Sequence, residues 1–114
     1  MKKLIPFLIC ATILVGCGPA PEDPRLTEIA KCLTEKGAKM YGAVWCSHCT
    51  QQKESFGPSF QYIDYVECDA RTNLEQAKIC VEKDIQTVPA WELPDGSWLQ
   101  GKHDPEELAE KFGC

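Results

Sequence analysis

The segment Met40-Tyr41-Gly42-Ala43-Val44-Trp45 runs directly into Cys46-Ser47-His48-Cys49, and this junction constrains the chain more than any other stretch. Lys39 to Trp45 is apolar and partly aromatic, as a buried strand requires, and the residues from Ser47 to about Phe56 continue as a helix closed by Gly57-Pro58. Two thiols with two residues between them therefore fall where a strand gives way to a helix. Cys46 is expected at the helix N-terminus, where unpaired backbone N–H groups and the helix dipole favour a thiolate. Cys49 lies one turn further in and less exposed. That spacing separates an attacking sulfur from a resolving one, and the pair can exchange a disulfide with another protein through a mixed disulfide.

The two ends of the chain bound where it works. Lys2 and Lys3 precede an apolar stretch from Leu4 to Val15 that is too short for an ordinary span and has the form of a signal peptide, so residues 1–16 are set apart from the fold. The stretch ends Leu14-Val15-Gly16-Cys17, which resembles the lipobox of bacterial lipoproteins; that resemblance implies an acylated Cys17 and a lipid anchor in a bacterial membrane, facing the periplasm or cell exterior. Residues 17–23 form a short tether and residues 24–114 one small domain. The formal charge is -5, and removal of Lys2 and Lys3 makes it more negative. No basic patch argues for nucleic acid.

Cys10 falls in the leader and Cys17 in the lipobox, which leaves Cys32, Cys46, Cys49, Cys68, Cys80 and Cys114. An even number in an exported chain suits an oxidising compartment. Zinc binding is disfavoured because four convergent ligands are needed and the remaining cysteines are far apart in sequence. A c-type haem is excluded by Thr50, since histidine must follow the second cysteine. No metal and no cofactor is expected.

Further elements follow from caps and periodicity. Asp23-Pro24 opens a first helix carrying Leu26, Ile29, Ala30 and Leu33. Tyr62 to Cys68 reads as a second strand, and Thr72-Asn73-Leu74-Glu75 as a capping box opening a helix with Leu74, Ala77 and Val81 inward. Val88 to Leu99 reads as two short strands about the turn Pro94-Asp95-Gly96, and Asp104-Pro105 caps a last helix with Leu108, Ala109 and Phe112. An α-β-α-β-α-β-β-α order with CxxC after the first strand predicts an α/β chain of thioredoxin fold, a central mixed sheet flanked by helices.

Tyr41 to Cys49, with Gln52-Lys53-Glu54, Phe56-Gly57 and the later Tyr65-Val66-Glu67-Cys68, resembles the thioredoxin-like domain fused to bacterial and plant homologues of vitamin K epoxide reductase. The likeness covers about residues 30–114 and leaves out the membrane domain that binds quinone in those fusions. It implies a membrane-tethered thiol-disulfide oxidoreductase acting on protein thiols, reoxidised by a quinone-linked membrane oxidase of that type. It also implies pairing of Cys68 with Cys80, as a structural disulfide or a second relay pair. Cys32 and Cys114 either tie the terminal helices together or remain thiols.

His48, between the two cysteines, is a candidate for favouring the Cys46 thiolate and making the disulfide more oxidising. Ser47-His48 resembles the Pro-His of strongly oxidising periplasmic enzymes, with serine in place of proline. Pro89 falls where thioredoxin-fold proteins carry a cis-proline facing the active site, so the backbone of Val88 is a candidate for pairing with an extended substrate, and Trp45 for framing its groove. Lys53 and His103 read as solvated side chains, and Tyr41 as core or groove. A reductase fed by a membrane electron donor is an alternative in the same class. From a different class, a copper-handling thioredoxin-fold lipoprotein is an alternative, although those space their cysteines as CxxxC with a distant histidine.

Overall fold

A computed structural model describes Gly16, Gly18 and residues 20–114. The expected leader as far as Val15 and the expected lipid-bearing Cys17 lie outside the described residues. Among the described residues no helix is long and apolar enough to cross a membrane.

Helix α1 spans Pro24–Glu35, with Asp23 as N-cap accepting from the Arg25 N–H and proline in the first turn, where its missing N–H costs nothing. Strand β1 (Lys39–Gly42) follows, then α2 (Ser47–Phe56), a 3-10 segment (Gly57–Tyr62), β2 (Tyr65–Glu67) and α3 (Leu74–Glu82). Strands β3 (Ala90–Glu92) and β4 (Trp98–Gln100) form a hairpin before α4 (Pro105–Phe112). The sheet order is β2-β1-β3-β4: β1 and β2 are parallel, the other two pairings antiparallel. This is a thioredoxin-like fold.

Alternation along β1 divides the core between the two faces of the sheet. Met40 joins Trp91, Phe56, Ala30, Leu33, Leu108 and Phe112 on the face covered by α1, α2 and α4. Tyr41 joins Val66, Ala90 and Cys80 on the face covered by α3. Cys32–Cys114 links α1 to the end of the chain after α4, and Cys68–Cys80 links the end of β2 to α3. Arg25 and Glu106 add an ion pair between α1 and α4.

Several local expectations are corrected. The run Lys39 to Trp45 forms a strand only to Gly42, because the chain must turn to bring Cys46 to the start of α2. Tyr62 belongs to the 3-10 segment, and β2 starts at Tyr65. The N-cap of α3 is Asn73 rather than Thr72; its side chain accepts from the Gln76 N–H, while Gln76 Oε1 accepts the Glu67 N–H instead of bonding back to the cap. Ala77 is buried as expected, but Leu74 and Val81 are 57% and 80% exposed, and Cys80 is buried instead. The disulfide turns Cys80 to the sheet, and that rotation carries Val81 outward.

One buried polar side chain holds α2 to the sheet. Gln52 is fully buried; its Oε1 accepts the Trp91 indole N–H at 3.2 Å and the His103 backbone N–H at 2.8 Å. Its Nε2 donates to the His103 carbonyl at 2.7 Å. Gln52→Ala orphans those groups and opens a cavity, so it should cost on the order of 3 kcal/mol. Denaturant unfolding of the purified domain measures this loss.

Candidate active site

Cys46 is the N-cap of α2: its Sγ accepts the Cys49 N–H at 3.2 Å, one of the four N–H groups that a helix start leaves without a partner. The same sulfur donates to the Val88 carbonyl at 3.6 Å. Val88 precedes Pro89 through a cis peptide bond, and Pro89 is buried at the entry to β3. Parallel pairing of β1 with β2 and antiparallel pairing with β3 thus bring two distant loops to one edge of the sheet, where Cys46 meets Val88.

Cys46 and Cys49 are the free cysteines among the described residues, and they differ in surroundings. Cys46 is 8% exposed and Cys49 0%. Burial pushes the Cys49 thiol up to about 12, helped by its hydrogen bond to Cys46; a backbone hydrogen bond from Ala43 and the Lys53 ammonium pull the other way. One sulfur keeps a small exposed area and takes a helix-terminal N–H. The other is kept protonated in the interior. Such a pair can form a mixed disulfide at the first sulfur and close an internal disulfide with the second.

A groove of about 480 Å³ opens beside Cys46, walled by Trp45, Ala70, Val81, Ile85, Val88 and the Cys68–Cys80 disulfide. Trp45 is 67% exposed and stands at its mouth, whereas Tyr41 is buried under the sheet against Trp98 and takes no part. A cleft of similar volume, about 490 Å³, lies between α1 and α4 beside Cys32–Cys114. Neither lining includes a free thiol, but the groove of Trp45 and Val88 adjoins one, because Cys46 follows Trp45 and its sulfur donates to the Val88 carbonyl.

The ring of His48 is exposed on the first turn of α2. Two side chains read as solvated are placed otherwise. Lys53 is half-buried with its Nζ 4.1 Å from the centroid of the Tyr65 ring, a cation over an aromatic face directly behind Cys49. His103 is half-buried, its Nδ1 2.9 Å from Glu107 Oε1 and its Nε2 2.8 Å from the Gln100 carbonyl, because the loop into α4 folds against Gln52. Gly42 is the residue at the site that spacing did not single out. A Cβ there would lie 2.9 Å from the Tyr65 ring, closer than packed atoms tolerate, and a tight 3.2 Å from Cys49 Sγ, so a larger residue would have to displace the ring.

Because the folded Cys49 thiol is raised from 9.0 to about 12, the reduced protein holds a proton that the unfolded chain loses earlier. The stability this confers is intact below pH 9.0 and declines as pH rises toward about 12. The oxidised protein has no such proton to lose. Unfolding of both forms across this range should show the reduced form losing stability relative to the oxidised one, and equal slopes would contradict the burial of Cys49.

No protein-family model matches the chain. A protein of Arabidopsis thaliana named thiol-disulfide oxidoreductase LTO1 is 40% identical over 95 residues, covering 80% of this chain and 25% of that protein. The chain spans about a quarter of the length of this curated relative. Over most of its length, the chain is therefore similar to one part of a thiol-disulfide oxidoreductase.

Proposed function

We propose that the chain is an exported, membrane-tethered thiol-disulfide oxidoreductase that works on protein thiols through Cys46 and Cys49. The asymmetry of the two thiols carries this reading: one caps a helix at the edge of an apolar groove, and the other is sealed behind it. The name of the relative supports the same reaction class. Cys46 exchanges with the substrate and Cys49 resolves the adduct. Trp45 and the Val88 backbone flank the substrate's path, and Cys68–Cys80 and Cys32–Cys114 serve the fold.

In the oxidising direction, a substrate thiolate attacks Cys46 in the internal disulfide and Cys49 leaves. A second substrate thiolate then attacks the substrate sulfur of the mixed disulfide, and the protein departs as a dithiol carrying two electrons and two protons. A quinone-linked membrane oxidase of the vitamin K epoxide reductase type would accept those electrons. Support for this partner comes from the sequence likeness around Tyr41 to Cys49. Support for the oxidising direction comes from Ser47-His48 between the cysteines, and the reduction potential of the pair discriminates an oxidase from a reductase.

Cys49→Ala should accumulate mixed disulfides between Cys46 and protein substrates, since attack persists while internal resolution is lost. Cys46→Ala should accumulate far fewer, because its remaining sulfur is buried. Non-reducing gels of extracts from cells expressing each variant test this, and equal trapping would overturn the roles. Cys17→Ser should move the protein from washed membranes to the soluble fraction with its unfolding midpoint unchanged, because the lipid would sit outside the domain that begins at α1. Retention on membranes would refute the lipid anchor.

A further inference from the structure

The cleft between α1 and α4 is bordered by a disulfide that the exchange chemistry above does not use. Arg25, Glu28 and Cys32 lie along one stripe of α1, and Glu106 and Glu110 along one stripe of α4; Cys114 follows that helix and joins the lining. Cys114 is exposed and Cys32 half-buried, whereas Cys80 of the other disulfide is only 5% exposed. Arg25 is paired with Glu106, but among the described residues no cation pairs with Glu28 or Glu110. Unpaired carboxylates from both helices therefore border the open space beside this disulfide.

We propose that Cys32–Cys114 is a second thiol-exchange site, opened from this cleft while the domain stays folded, by thiols that carry a cationic group close to the sulfur. The site is independent of the roles proposed for Cys46 and Cys49. The incoming thiolate attacks Cys114 Sγ, the sulfur of the more exposed residue. A bond forms between those two sulfurs, the Cys32–Cys114 bond breaks, and Cys32 leaves with the electron pair as a thiolate that takes a proton from water. A second thiolate attacks the reagent's sulfur in the mixed disulfide. The two reagent sulfurs depart as a disulfide, and Cys114 is released as a thiolate that is protonated in turn. The protein gains two electrons and two protons, and the two thiols that supply the electrons are oxidised to one disulfide.

Charge decides which thiols enter. Attack brings an anionic sulfur toward Glu28 and Glu110; a carboxylate on the same reagent adds to the repulsion, and an ammonium group offsets it. The groove beside Cys46 has no charged side chain in its lining, so the same reagents meet no such local field there. Opening the bond leaves the Arg25–Glu106 pair as a polar tie between the two helices. Ala30 and Leu33 of α1 still share one core with Leu108 and Phe112 of α4, which is why the fold outlasts the crosslink. Loss of so long a covalent loop lowers its stability all the same.

The oxidised full-length protein, without denaturant and at low salt, is treated with cysteamine or with mercaptopropionate, thiols of similar size and opposite charge. A second pair of reagents, the peptides Lys-Cys-Lys and Glu-Cys-Glu, distinguishes free thiols from thiols on a chain. Acid quenching, alkylation and peptide mass mapping follow each disulfide separately. Per unit of thiolate, cysteamine should open Cys32–Cys114 about tenfold faster than mercaptopropionate, and added salt should erase most of that preference. Glu28→Gln combined with Glu110→Gln should remove it, and either substitution alone should reduce it; both side chains are exposed, so the fold tolerates the change. Cys68–Cys80 should stay closed and the circular dichroism unchanged throughout. The same preference in the peptide pair extends the site to basic peptides, and a preference in the first pair alone assigns it to small aminothiols. Equal rates for the two small thiols, a preference undiminished in the Gln variants, or opening only in step with Cys68–Cys80 would overturn the proposal.

Discussion

The buried amide of Gln52 fixes where α2 sits, and the position of both free thiols depends on α2. Its contacts reach the indole of Trp91 on β3 and the backbone of His103 in the loop before α4, so three segments far apart in sequence converge on one side chain. A helix held only by apolar contacts can slide or rotate at modest cost. One held by a fully satisfied polar group in a dry interior cannot, because any shift strips hydrogen bonds where no water replaces them. The start of α2 is thereby registered against the Val88–Pro89 loop, and the Cys46 sulfur stays in reach of the Val88 carbonyl.

Features encoded within a few residues were legible in the sequence. Asp23-Pro24 marks a helix start through a side-chain cap and the proline ring, Asp104-Pro105 through the ring without a side-chain cap bond, and Pro94-Asp95-Gly96 marks the hairpin turn equally locally. The thioredoxin-like order of elements followed from these marks and from the position of the two cysteines. Features decided by distant partners were not legible. Gln52 reads as a solvent-facing helix residue until Trp91 and His103 are seen around it, and His103 reads as surface until Gln52 is. Leu74 and Val81 have helical spacing, yet the tie from Cys80 to Cys68 sets which face of α3 meets the sheet. Tyr65 and Glu67 alternate as any strand pair does. Only the parallel register that puts Gly42 opposite Glu67 reveals that they back the buried thiol.

The two faces of the sheet divide the labour. On the face covered by α2 the side chains around Cys49 are polarisable or titratable: Tyr65, Glu67 and Lys53. On the α3 face the groove beside Cys46 is lined largely by apolar groups, with the closed Cys68–Cys80 disulfide in its wall. Titratable side chains and an apolar groove thus flank the same pair of sulfurs from opposite faces of the sheet.

The Cys32–Cys114 bond has a mechanical consequence. It joins the third turn of α1 to Cys114, so almost the whole domain is a covalent loop. Tension applied between the segment leading into α1 and the end of the chain would run along that helix and through the sulfur–sulfur bond. The sheet, both cysteines of the exchange pair and the groove beside them lie outside this load path. Pulling on Cys114 against the segment leading into α1 would leave the edge that carries Cys46 unstressed for as long as that crosslink survives.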